Sequence, residues 1–183
     1  MSAVAARVGG EPVGVDEVDA REAVLRAGPA AAALPRAGSS EGRQLRRWLT
    51  QLLVTERIVA VEAATRGLTG NDAPSEDELL PDATARLEIG SITAAALAEP
   101  AGRALFCDVT SGVDVTDDDV DGYRTRNPTR FAHAADVREH LLAAARRRVF
   151  RVWLDERRAA LVDLAPGYEH PGDPRQPDNT HRH

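Results

Sequence analysis

Lysine is absent from the sequence and cysteine occurs once, at Cys107; all 23 basic residues are arginine. Without lysine there is no Schiff-base chemistry and no phosphate-gripping P-loop lysine. One cysteine excludes an internal disulfide and a cysteine-built zinc cluster. Aromatic residues make up only 4%, so the core must be built from Leu, Val, Ile and Ala. No apolar run approaches the roughly 20 residues that span a bilayer, so no membrane helix is expected. The opening Met1–Gly10 stretch has neither a basic n-region nor a long apolar h-region. It does not read as a signal peptide, and the expected location is cytoplasmic. A net charge of −6 carries no nucleic-acid footprint.

What remains is ordinary soluble composition: 183 residues, 43% hydrophobic and 28% charged. Abundant Ala and Leu favour helices. The expected fold is mostly α: a multi-helix orthogonal bundle with a small N-terminal β arm or hairpin and an extended C-terminal tail. Residues 1–165 read as the helical domain and 166–183 as a Pro-, Gly- and His-containing tail.

Val4–Val8 and Glu11–Val13 are short β-prone runs joined by Gly9-Gly10, a two-residue hairpin signal. Asp16 is placed to cap a first helix, with Asp19 at N3, and Gly28-Pro29 to end it. Ser40 is expected to cap the next helix. There Leu45, Trp48, Leu49, Leu52, Leu53, Ile58 and Val59 recur at helical spacing, with Arg43, Arg46, Arg47, Glu56 and Arg57 mostly on the other side. Gly67 suits a C′ position. Ser75 with Glu78, and Thr116 with Asp119, form capping boxes. Asp82–Leu97 reads as one helix through Leu87, Ile89 and Ile92, softly interrupted at Gly90, and Asn127-Pro128 must stop the helix that carries Val120 and Tyr123. From Ala135 to Leu164 runs the longest periodic segment, with Val137, Leu141, Ala145, Val149, Val152, Trp153 and Leu161 as its apolar stripe. Its many arginines read as a solvated face with stems lying over apolar surface.

Several residues carry chemistry. In the tail, His170, Asp173, His181 and His183 are candidate metal ligands, supported by Glu169 and Asp178, with His133 or His140 available to complete the set. Neutral imidazole suits a divalent transition metal such as Zn, Cu or Ni; a polar, unstructured terminus explains the same residues. Gly38-Ser39-Ser40-Glu41-Gly42 matches the G-x-S-x-G nucleophile elbow. That motif needs a strand before it, which Ala30–Ala37, broken by Pro35, does not supply, so Ser40 reads first as a cap. Asp117, Asp118 and Asp119 lack the spacing of a calcium loop and suit a helix start. Cys107 sits among Leu105, Phe106 and Val109 as a small hydrophobe, and Trp48 and Trp153 fall on apolar stripes as core anchors.

The segments Ala5–Val13 with Val15–Val18, and Val115-Thr116-Asp117-Asp118-Asp119-Val120 followed by Tyr123 and Asn127–Phe131, carry a resemblance. The first is similar to the opening of SurA-type periplasmic chaperones and related parvulin-type proline isomerases. The second resembles the segment that precedes their isomerase domain. Trp153–Arg158 with Ala160–Val162 resembles their closing helix. The match covers most of residues 4–164. It implies that the N-terminal strand and helices pack with the late helix into one helical module. Only a few residues separate Phe131 from the last long helix, which leaves no room there for the isomerase domain.

The function expected on this basis is non-enzymatic: a chaperone-like or accessory protein holding a polypeptide client, with Trp48, Leu52, Tyr123, Phe131 and Trp153 lining its groove. A second copy of the chain is a further candidate partner, whereas nucleic acid and membrane are not expected. The alternative is a metal-binding protein acting through the C-terminal tail. A weaker alternative is an accessory of acyl-carrier-protein or acyl-transfer chemistry through Ser40.

Overall fold

The N-terminal hairpin follows from its two glycines. β1 (Val4–Val8) and β2 (Glu11–Gly14) pair antiparallel with Val8 opposite Glu11. Gly9 and Gly10 form the connection with φ +58° and +90°, left-handed values that match the strands' twist and that side chains resist. A third strand, β3 (Val162–Leu164), pairs antiparallel with the other edge of β1, so the sheet order is β2-β1-β3. With β1 central, Ala5, Ala6 and Val8 are all buried. The computed structural model describes residues 3–173.

The chain is mostly α. After the hairpin come α1 (Val15–Ala27), a 3-10 turn (Ala31–Ala33), α2 (Ser40–Thr65), α3 (Glu76–Leu79), α4 (Ala83–Ile89), α5 (Ser91–Ala96), α6 (Pro100–Val109), α7 (Asp117–Arg126) and α8 (Ala134–Leu161). They fall into two units: one drawn from both ends of the chain, up to Ile58 and from Arg158, the other formed by Val59–Arg157. The boundary lies within α2 and within α8, whereas the sequence reading draws a single domain over 1–165.

In the first unit, ion pairs lace α1 to α2. Both terminal guanidinium nitrogens of Arg21, Nη1 and Nη2, donate to Glu56 at 2.9 and 2.7 Å, and Arg57 meets Glu17 at 2.8 Å. Buried Glu22 accepts from Arg26 and Arg46, each at 2.8 Å. Burial alone would raise the Glu22 pKa, but the hydrogen bonds from these two arginines outweigh it and hold the carboxyl below its usual range. Around α2, Leu49, Val54 and Ile58 are buried, and so are Arg47, Thr50, Gln51 and Thr55. Arg47 therefore does not lie on a solvated side as its spacing suggests, because α2 is covered on nearly every face.

In the second unit, Leu80, Ile89, Leu97, Leu105, Phe106 and Phe150 form the main core, with Phe106 and Phe150 tilted at 5.1 Å between ring centroids. A smaller cluster joins Val115, Val120 and Val137 to Tyr123, Phe131, Leu141 and Leu142.

The local signals that depend only on neighbouring residues are realised in the structure. The Ser75–Glu78 and Thr116–Asp119 capping boxes are formed. α7 ends before Asn127-Pro128. Past α2, the Gly67 and Leu68 N–H groups return to Ala64 and Ala63 carbonyls, as a glycine C′ requires.

Four details differ. The cap of α1 is Gly14, whose N–H donates to Glu17 at 2.9 Å, not Asp16 with Asp19; the helix starts where β2 ends, leaving no free turn for Asp16. The cap of α2 is Ser39, whose hydroxyl accepts from Gly42 N–H at 3.0 Å, and Ser40 is already helical. Asp82–Leu97 is two helices, since Gly90 takes φ +85°, ψ 150°. The final helix stops at Leu161 because Val162–Leu164 joins β1 instead. Within α8 the buried positions are Val137, Arg147, Phe150 and Leu154, while Val149 and Val152 are exposed. The face that carries Arg147, Phe150 and Leu154 lies about 160° round the helix from Val149 and Val152.

Candidate functional site

The break at Gly90 builds an apolar depression in the second unit. A helix that continued from α4 would carry Leu87 and Ile89 about 200° apart, on opposite faces. Ile89 is buried in the main core, and Leu87 is 83% exposed. At Gly90 the chain turns into α5, and the angle between the two short helices opens a groove of about 710 Å³. Ala83, Ala94, Ala95 and Ala98 line it together with Leu87, Gly90 and Ser91. Alanines leave the helix backbones accessible to an incoming chain, and Leu87 offers a large apolar side chain beside them. Glu76 and Arg86, paired with each other, form its polar edge.

Asp82 positions α4 by accepting from Ala85 N–H at 2.8 Å. Glu88, on the face of α4 turned from the groove, accepts from Arg147 Nη2 at 2.9 Å and Nε at 3.2 Å. Arg147 is only 6% exposed. The expectation that the arginines of α8 are all solvated therefore fails at this one, which tethers α4 to α8.

The five residues expected to line a client groove fall in separate places. Trp48, half-buried, and Leu52, buried, belong to α2 in the first unit. Tyr123 and Phe131 come together in the smaller cluster, 6.2 Å apart, with His140 at 5.6 and 5.2 Å from them. Desolvation, reinforced by the nearby Arg130 guanidinium, holds His140 below its ordinary pKa. Trp153 stacks on Phe150 at 5.6 Å with Arg66 over its ring. Tyr123, Phe131 and Trp153 thus pack on core clusters. The groove at Gly90 was missed because Leu87 reads as core; the i, i+2 spacing of Leu87 and Ile89 on a short helix was the signal against it.

Among the tail residues, His170 Nδ1 accepts from Gly172 N–H at 3.0 Å, and Asp173 N–H returns to the His170 carbonyl at 2.9 Å, closing a tight turn. His181 and His183, with Asp178, lie outside the described residues. His133 is exposed. Among the described residues no three His, Cys, Asp or Glu side chains are placed to hold a metal ion. Ser40 follows a 3-10 turn and a loop, with no strand before it. The structure therefore lacks the strand-turn-helix setting of a nucleophile elbow at this point. Cys107 is half-buried against the main core.

Residues 4–41 match a family of unknown function, DUF7158. The match takes in β1, β2, α1 and the first residues of α2. No curated protein and no solved structure matches the chain. No helix among the described residues is long and apolar enough to cross a membrane.

Proposed function

We propose that this chain is a non-enzymatic, chaperone-like polypeptide-binding module, similar in plan to the SurA N-terminal module, that holds an apolar client segment in the groove between α4 and α5. The groove itself carries the reading: an exposed leucine beside a surface of alanines, at a helix break held open by glycine. Isolated exposed leucines are common on protein surfaces, but one flanking an apolar concavity marks an interaction site. The pairing of β1 with β3 supports the likeness in plan, because it joins the N-terminal ribbon to the strand that directly follows the last helix. A cytoplasmic setting is part of the same proposal.

The test is fluorescence anisotropy of the full-length protein with labelled apolar peptides, alongside suppression of client aggregation. Leu87→Asp is expected to weaken peptide binding at least about tenfold with unchanged far-UV circular dichroism. Absence of peptide binding, together with no effect on several unfolding clients, would refute the reading.

A further inference from the structure

The groove does not end at its alanines. Glu76 lines its edge, and the next two residues of α3, Asp77 and Glu78, line a second depression of about 720 Å³. Adjacent residues of α3 therefore line both depressions. Between them stands α4, which gives Ala83, Arg86 and Leu87 to the groove and Asp82 and Glu88 to its neighbour.

The neighbour is acidic. Six carboxylates, Asp77, Glu78, Asp82, Glu88, Asp136 and Glu139, stand against the guanidiniums of Arg130 and Arg147, an excess of four negative charges with His140 neutral. Arg147 is already engaged with Glu88, and Arg130 lies over the Phe131 ring at 5.7 Å. Asp77 meets Arg86 Nη2 at 3.6 Å yet keeps 93% of its side chain exposed, and Asp136 and Glu139 are exposed as well. These carboxylates do not form a metal cage: Glu78 is held by Ser75 and Asp82 by the Ala85 N–H, each turned to its own helix start. What they offer is a spread negative field beside an apolar slot.

We propose that the occupant is a basic amphipathic polypeptide segment. Its apolar side chain seats against Leu87 and the alanines, and its flanking arginines or lysines meet Asp77, Asp136 and Glu139. This rests on the reading that the groove holds a polypeptide, and adds to it the charge of that polypeptide. Complementary charge at the rim speeds encounter and rejects acidic competitors, while the apolar contact supplies residence time. Because the carboxylates are exposed, the preference must weaken as salt rises.

The experiment uses three labelled peptides of equal length with identical apolar positions and lysine, glutamine or glutamate at the others. Each is titrated against the full chain at low and at raised salt. The lysine peptide is expected to bind at least about tenfold more tightly than the glutamine peptide at low salt, and the glutamate peptide most weakly. The lysine preference should shrink with salt and in an Asp77→Asn, Asp136→Asn, Glu139→Gln variant. Asp77→Asn alone serves as a second, milder variant should the triple change disturb the fold.

Equal binding of the lysine and glutamine peptides, both lost in Leu87→Asp, would overturn the charge inference and leave the groove reading standing. No binding of any peptide would overturn both. A lysine peptide stripped of its apolar residues that binds as well as the intact one would also overturn the inference, since the contact would then be purely ionic.

Discussion

Arg147 and Glu88 share one strong ion pair but not one environment: 7% of the arginine side chain is exposed against 42% of the glutamate. Removing the arginine leaves a carboxylate that water can solvate. Removing the glutamate strands a guanidinium that water barely reaches. Glu88→Ala is therefore expected to cost about 3 kcal/mol, and Arg147→Met, which keeps the packing volume, about 1 kcal/mol. Urea denaturation of both variants checks this; equal costs would show that burial does not govern the pair.

Gly90 carries the second prediction. Its φ of +85° with ψ 150° lies in a region open essentially to glycine, and nothing lies within 4 Å of where a Cβ would sit. The cost of Gly90→Ala is thus purely conformational, about 1–3 kcal/mol. On either side of the same helix the outcomes diverge. Leu87→Ser should change stability by no more than about 0.5 kcal/mol, and Ile89→Ala should cost about 2–5 kcal/mol. Thermal melts of the three variants separate them.

Ser39 and Ser40 make a third test. The Ser39 hydroxyl accepts from Gly42 N–H and donates to the Arg36 carbonyl at 2.8 Å. Ser39→Ala is expected to cost about 1 kcal/mol. Ser40→Ala, one residue inside the helix, should cost less, because alanine is the better helix former there. The reverse order in chemical denaturation would restore Ser40 as the cap.

The fourth concerns acid. Glu22 is held below its ordinary pKa of 4.5 by Arg26 and Arg46. A group whose folded pKa is depressed contributes stability that is present above its unfolded pKa and lost as pH falls through the folded one. Stability should therefore decline below about pH 4.5 in the wild type. In Glu22→Gln it should start lower at neutral pH and fall less steeply over that acid range. Parallel acid-limb slopes in the two proteins, read by denaturation at successive pH values, would remove Glu22 from that role.

Signals confined to a few neighbouring residues were legible in the sequence. The Gly9-Gly10 turn, the Ser75–Glu78 and Thr116–Asp119 boxes and the Asn127-Pro128 stop depend on bonds within one turn of chain, so reading them needs no knowledge of distant residues. Faces were less legible. Valines at 149 and 152 look like core and are exposed, while Arg147 looks solvated and is buried. An arginine can enter a core once a carboxylate from another helix meets it, and the position of Glu88 is not written near Arg147. The candidate site suffered likewise: Leu87 reads as core until Gly90 is seen to break the helix.

By itself, the order of residues determined a lysine-free, mostly helical chain with a glycine-turned N-terminal hairpin, because propensity, caps and turn chemistry act over a few residues. Tertiary structure alone decided that Val162–Leu164 leaves the helix for β1, that Arg147 is drawn inward and that Leu87 is turned out beside a groove. Those outcomes depend on partners dozens of residues away, whose hydrogen bonds and charges outweigh the local preference of the segment they meet.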